Sequence, residues 1–240
     1  PIFPYANYLE ELSDCNLRNG ISQWLGSQSI AVDLRKKDSE SSLILGSLWH
    51  MFMRQSRKLK TIEIDDNLWS PNFPQGLENI MNAESALSHS RTFRCNIECP
   101  SNNNHESTIR LLRILASLCS HIQCMEILIM GKVNLEVITL IIALIRSQDR
   151  LTEFKLNFSN SYIYSASIIE ALKLHKNWLT SLTFTRFSFD DFAFIGLLSN
   201  FTNLRSLHLS WCDGLTLDSG EGLSLPSLRH LENLYLGLNA

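Results

Sequence analysis

Residues 204–218 read LRSLHLSWCDGLTLD. Leu204, Leu207 and Leu209 fall at i, i+3 and i+5, and Cys212 follows between Trp211 and an Asp-Gly pair. Apolar residues two apart around a polar one are the alternation of a short strand with one buried face. The cysteine is either a reactive group or a piece of architecture, and the rest of the chain decides which.

Sliding the same pattern along the sequence finds it again. It recurs as LENLYLGLN from Leu231, LTSLTFTRF from Leu179, LTEFKLNFS from Leu151 and IQCMEILIM from Ile122. The starts at 122, 151, 179, 204 and 231 step by 29, 28, 25 and 27 residues, too regular for chance. LKTIEIDDN from Leu59 is an earlier copy, SRTFRCNIE from Ser90 a degraded one, and LEELSDCNL from Leu9 puts Asp14 where an aliphatic belongs. The long gap between the first and second copies carries a polar stretch, and residues 35–42 are expected to form a loop there.

Helical periodicity fills the spaces between copies. HESTIRLLRILASLCSH places Ile109, Leu112, Leu115 or Ala116, and Cys119 along one face, and ASIIEALKLHKNW, DDFAFIGLLSNF and SSLILGSLWHMFMRQS follow suit. Asp190 and Asp191 suit a helix's first turn. The apolar run 125–145 holds Glu126, Lys132 and Glu136, and its longest charge-free piece, VITLIIALI, is about half of what a spanning helix needs. It reads as strand, turn and buried helix.

Each unit is therefore strand, turn, helix. One unit cannot cover its own apolar face, but stacked units share a continuous core. The fold class expected is α/β: a leucine-rich-repeat solenoid, a right-handed horseshoe with parallel strands on the concave side and helices on the convex side. The whole of 1–240 is expected to be a single such domain of about seven to nine irregular repeats, truncated at both ends. A doubly wound sheet, the competing α/β option, would need longer buried strands and a Gly-rich phosphate turn that is missing.

The stretch LRSLHLSWCDGLTLD resembles the cysteine-containing leucine-rich repeat of F-box/leucine-rich-repeat proteins, substrate receptors of cullin-based ubiquitin ligases. The run IFPYANYLEELSDCNLRNGISQWL is similar to the segment that follows the F-box in an expanded fungal family of this kind. The resemblance implies a receptor that binds an unknown target protein. A Skp-type adaptor and a cullin would be reached only through an F-box outside these residues. The alternative is a free-standing leucine-rich-repeat scaffold or inhibitor with no ligase role.

Chemistry finds little purchase. Cys212 shares its ladder slot with Asn67 and Asn239, while Met130, Ser159 and Phe187 fill it elsewhere. Asparagine and cysteine share little as nucleophiles, yet both can donate a hydrogen bond to a buried carbonyl, so the slot reads as structural. A metal site would have to collect Cys95, Cys99, His105, Cys119, His121 and Cys124, several of them on core faces that the repeat holds apart. GxSxG, HExxH and P-loop signatures are missing. The expectation is no enzyme, no cofactor and no metal.

What remains is a surface. If Leu207 and Leu209 point inward, Ser206, His208 and Ser210 face the concave side, and the same alternation exposes Glu63, Arg94, Glu126, Lys155, Thr183 and Tyr235 at the middle strand position. Leu128 and Met130 beside Glu126 would form a small apolar anchor. A formal net charge of -3 gives no basic surplus for nucleic acid or an anionic membrane, so neither is expected as partner. Six cysteines in a chain able to fold on its own core suit reduced thiols, hence a cytoplasmic or nuclear compartment. A secreted recognition protein would instead pair them and carry glycans at Asn157 or Asn200.

Overall fold

The computed structural model of the chain describes residues 8–27, 34–56, 58–65, 88–99, 106–131, 135–159, 165–189, 198, 200–212 and 230–237. Among these residues the strands are β1 (Glu11–Ser13), β2 (Thr61–Asp65), β3 (Thr92–Cys99), β4 (Cys124–Gly131), β5 (Glu153–Phe158), β6 (Ser181–Thr185), β7 (Ser206–Ser210) and β8 (Asn233–Gly237). They form one parallel sheet in the order β1 to β8, so that each strand pairs with its neighbours in sequence. The helices are α1 (Asp14–Ser27), α2 (Leu34–Gln55), α3 (Glu106–Leu118), α4 (Leu135–Arg146) and α5 (Ser165–Leu172), the last running into a 3-10 turn at Lys173–His175.

The apolar alternation decides which face of the sheet is covered. Phe93, Met125, Phe154, Leu182 and Leu207 follow one another across the sheet in register, and Cys95, Ile127, Leu156, Phe184 and Leu209 form the next line. All ten are buried in a single core with the inner stripes of the helices. In α4 that stripe is Val137, Ile138, Ile141, Leu144 and Ile145, the spacing of one helix face. The run 125–145 is thus a strand and a buried helix, and no helix among the described residues is long and apolar enough to cross a membrane. Toward the C-terminal half the core turns aromatic: Phe187 packs 4.4 Å from Phe184 and 4.8 Å from Phe189, ring centre to ring centre.

Buried polar side chains tie the ends of α3 and α4 to the start of the next strand. The Gln148 Oε1 accepts the Ile122 N–H at 2.9 Å, while its Nε2 donates to the carbonyls of Cys119 and Leu144 at 2.8 and 2.7 Å. One unit later His175 does the same job. Its Nε2 donates to the Ile145 carbonyl at 2.8 Å, so the ring proton sits there and Nδ1 accepts the Leu151 N–H at 3.5 Å. Both side chains thereby satisfy backbone groups that burial would otherwise leave unpaired.

Two expectations are corrected. Residues 35–42 lie within α2 rather than in a loop. The buried anchors Leu45, Trp49 and Met53 are spaced i, i+4 and i+8, and a helix nucleated on them extends back at little cost through Arg35, Lys36, Lys37 and Glu40, all good helix formers. Met130 does not fill the inward slot assigned to it, because β4 runs on to Gly131 and Ile129 takes the buried position. In the first copy, Asp14 ends β1 after three residues by opening α1, where the Ser13 Oγ accepts the Asn16 N–H at 3.4 Å as a cap. Asn67, Asn239, Asp190, Asp191 and most of DDFAFIGLLSNF lie outside the described residues.

Two predictions follow from the backbone and its buried imidazole. Arg186 and Trp211 stand two residues past the second inward apolar residue of β6 and β7, with φ of 53 and 57 degrees, and Gly131 stands two residues past Ile129, the third inward residue of β4, with φ of 90 degrees. A side chain costs about 1–2 kcal/mol in that left-handed region, so Arg186→Gly should raise stability by about 0.5–1 kcal/mol in urea denaturation despite the lost charge. Burial pushes the His175 imidazole below its ordinary 6.5. The unfolded chain then takes up a proton that the folded chain resists, so this contribution is complete above pH 6.5 and falls away as the pH drops below it. His175→Gln should remove that part of the pH dependence of the melting temperature; identical profiles for the two proteins would show that His175 is not its source.

Candidate functional site

The face of the sheet opposite the helices is left with the polar half of the alternation. Pairing places Glu63 beside Arg94, Arg94 beside Glu126, Glu126 beside Lys155, Lys155 beside Thr183, Thr183 beside His208 and His208 beside Tyr235. Seven of the eight residues expected on the binding surface therefore form one unbroken row across β2 to β8. The eighth, Leu128, lies two residues beyond Glu126 on β4, between Asn96 and Asn157 in the neighbouring row. Met130 follows it on the same face, and both are half-buried.

The row has two chemically distinct halves. In the first, the Glu126 Oε2 lies 3.6 Å from the Arg94 Nε and 3.9 Å from the Lys155 Nζ, a carboxylate between two cations. All three side chains are more than a third open to water, so each pair contributes under about 1 kcal/mol to the fold. The second half holds hydroxyls and aromatic rings and no carboxylate, lysine or arginine. His208 and Tyr235 stack at 4.2 Å between ring centres with their planes 15 degrees apart. Beside them, Thr185 Oγ1 and Ser210 Oγ share a hydrogen bond of 3.1 Å.

The expectation took in Ser206, Ser210 and Leu128 from the flanking rows but missed the rest, although residues two before and two after the middle position obey the same alternation. Thr185, Cys124 and Glu153 are the informative ones. The Cys124 thiol donates to the Glu153 carboxylate at 3.6 Å, and burial, with that carboxylate adding to it, pushes the thiol up to about 11. Burial alone pushes Cys119 up to about 12. Neither is a ready thiolate near neutral pH.

The metal candidates are distributed rather than gathered. Cys95 and Cys119 are core residues, Cys124 faces Glu153, and the His121 Nδ1 pairs with the Asp149 carboxylate at 2.9 Å. The side chains of Cys99 and His105 lie outside the described residues, and no three metal-binding groups come together among those described. Cys212, where the reading began, donates its S–H to the carbonyls of Phe184 and Ser210, both at 3.5 Å. Ser159 fills the same slot two units earlier and accepts the Gly131 N–H at 2.8 Å. The slot ties the far end of one strand to its neighbour.

The chain matches no protein-family model, no curated protein and no solved structure. Its class rests on its own geometry: an α/β protein with one sequentially ordered parallel sheet, helices on one face and a polar row on the other.

Urea denaturation separates the two kinds of residue. Arg94→Ala and Lys155→Ala should each move stability by less than about 1 kcal/mol, since their charges are paired in water. Cys212→Ala should cost about 1 kcal/mol through its lost hydrogen bonds, and Phe184→Ala about 3–5 kcal/mol through the cavity it leaves. A loss above about 2 kcal/mol for Arg94→Ala would mark the row as part of the scaffold.

Proposed function

We propose that this chain is the target-binding part of an F-box-type ubiquitin-ligase receptor, built as a leucine-rich-repeat horseshoe whose concave side is the open face. The observation that carries the reading is the matched row from Glu63 to Tyr235. It offers an extended strip in which ion pairs, hydroxyls and an aromatic plate succeed one another at the spacing of adjacent strands. Charges that contribute little to stability are retained at low cost to the fold and can exchange their partners for those of a bound chain. Mixed charge with a stacked His–Tyr pair suits a protein surface better than a phosphate backbone. The repeat pattern around Cys212, and the thiol's structural use, fit the family resemblance.

The mechanism is positional. The row holds the target, and a ligase assembled through an F-box elsewhere in the gene product modifies it. This chain contributes orientation and no bond-making step.

Two measurements test the proposal. The full-length gene product, with its upstream module, should co-purify with a Skp-type adaptor; failure to do so removes the ligase role and leaves the free-standing scaffold. Proteins retained by the wild type are then compared quantitatively with those retained by Arg94→Glu/Lys155→Glu and by His208→Ala/Tyr235→Ala. A specific partner should fall at least about tenfold in both, as expected for loss of central contacts worth 1.4 kcal/mol or more. Undiminished retention by both variants, with melting temperatures unchanged, removes the open face as the binding surface.

A further inference from the structure

The start of the sheet is as regular as its face. One residue before each strand, a backbone N–H reaches the previous unit: Arg91 donates to the Lys60 carbonyl at 2.8 Å, Gln123 to Arg91 at 2.7 Å and Thr152 to Gln123 at 2.8 Å. Register is therefore already fixed where the chain approaches the sheet. Three residues before β2, β3, β4 and β5 stand Lys58, His89, His121 and Arg150, consecutive on this rim and all exposed. Aromatic rings bracket them: the Lys58 Nζ lies 5.4 Å from the centre of the Tyr8 ring, and the Arg150 guanidinium 4.0 Å from that of Trp178.

Between the approaches to β2, β3 and β4 the rim opens into a cleft of about 450 Å³. Lys58, His89, Arg91 and His121 line it with Ser88 and Gln123, over the buried Leu59. Among the described residues no carboxylate is in the lining. Two acids on this rim are already paired: Glu10 with Lys60 at 2.9 Å, and Asp149 with the Nδ1 of the lining His121 at 2.9 Å, which also orients that imidazole. In a chain of net charge -3, two permanent cations and two imidazoles around one cleft, with no carboxylate among its described lining residues, form a local anion trap.

We propose that this cleft binds a phosphate monoester group. A phosphate offers three strong acceptor oxygens and nearly two negative charges, which matches converging ammonium, guanidinium, imidazole, hydroxyl and amide donors better than a carboxylate does. The guanidinium can bind two of the oxygens at once, and the ammonium serves as a point charge. The group could be carried by a small phosphate ester or by a phosphorylated side chain, and the same cleft chemistry serves either. The site lies off the open-face row and does not depend on what that row binds.

The test uses the full chain at low ionic strength. Inorganic phosphate, a short phosphoserine peptide and its unphosphorylated counterpart are titrated by calorimetry, with histidine ring signals followed by NMR. Both phosphorylated probes should bind saturably and shift the His89 and His121 signals, and the unphosphorylated peptide should not. Lys58→Ala/Arg91→Ala should weaken binding at least about tenfold. Arg205 provides the control. It occupies before β7 the place of Arg91 before β3, but the Glu232 carboxylate lies 3.8 Å away, so Arg205→Ala should leave binding unchanged. A peptide bound much more tightly than inorganic phosphate identifies a phosphorylated protein as the source, and comparable affinities identify a small ester. The milder Lys58→Gln/His89→Gln variant, checked by its melting temperature, repeats the measurement if the first is poorly folded. No saturable phosphate binding by the wild type, or equal binding by folded variants, overturns the proposal.

Discussion

Parallel pairing without slippage is the constraint on which everything else rests. A strand here exposes every second residue, so a shift of one position would exchange its buried and open sets. For β5 that would bring Phe154 and Leu156 to the polar side, a loss of about 3–6 kcal/mol at 1.5–3 per side chain. That is a large part of the 5–15 kcal/mol that typically holds a folded domain. The apolar pair in each strand is thus enough to select one register. Gln148 and His175 reinforce it at the leading end, and Cys212 and Ser159 at the trailing end.

Function-bearing geometry comes from the same source. Residues scattered from 63 to 235 in sequence become neighbours because each pairing passes its register to the next. The polar row was not assembled by packing of its own members, whose ion pairs are weak and wet. It is positioned by the core beneath it. The rim lined by Lys58, His89 and His121 is a second product of that register, displaced to the start of the strands. One apolar repeat therefore presents two chemically unlike surfaces, a mixed-charge face and a cationic edge.

This explains which parts were legible in the sequence. The leucine pattern gives the strands, and strict alternation then gives Arg94, Glu126, Lys155 and His208 on the open face without any structure. The ties were not legible, because they do not keep the period: Gln148 stands three residues before Leu151, but His175 stands four before Leu179. The cationic rim escaped for another reason. Its members share a ladder position but no chemistry with the apolar pattern, so a search for leucines passes over them. The polar start of α2 looked like a loop because composition was weighed there without the buried Leu45, Trp49 and Met53 that extend the helix backward.

The two edges of the sheet show that the apolar pair is covered by neighbours rather than by its own unit. Leu207 in β7, flanked on both sides, is 1% exposed, whereas Leu234 and Leu236 at the equivalent places in β8 are 46% and 48% exposed. Among the described residues only β7 pairs with β8. At the other edge Leu12 in β1 is 1% exposed although, among the described residues, it too has one partner strand; it belongs to the core that also holds Ile21 of α1 and Leu45 of α2. The edge strand β1 thus shares a core with helical residues, whereas Leu234 and Leu236 of β8 stay open. Stability here is a property of adjacent units taken together, and each unit's polar residues inherit their positions from that sharing.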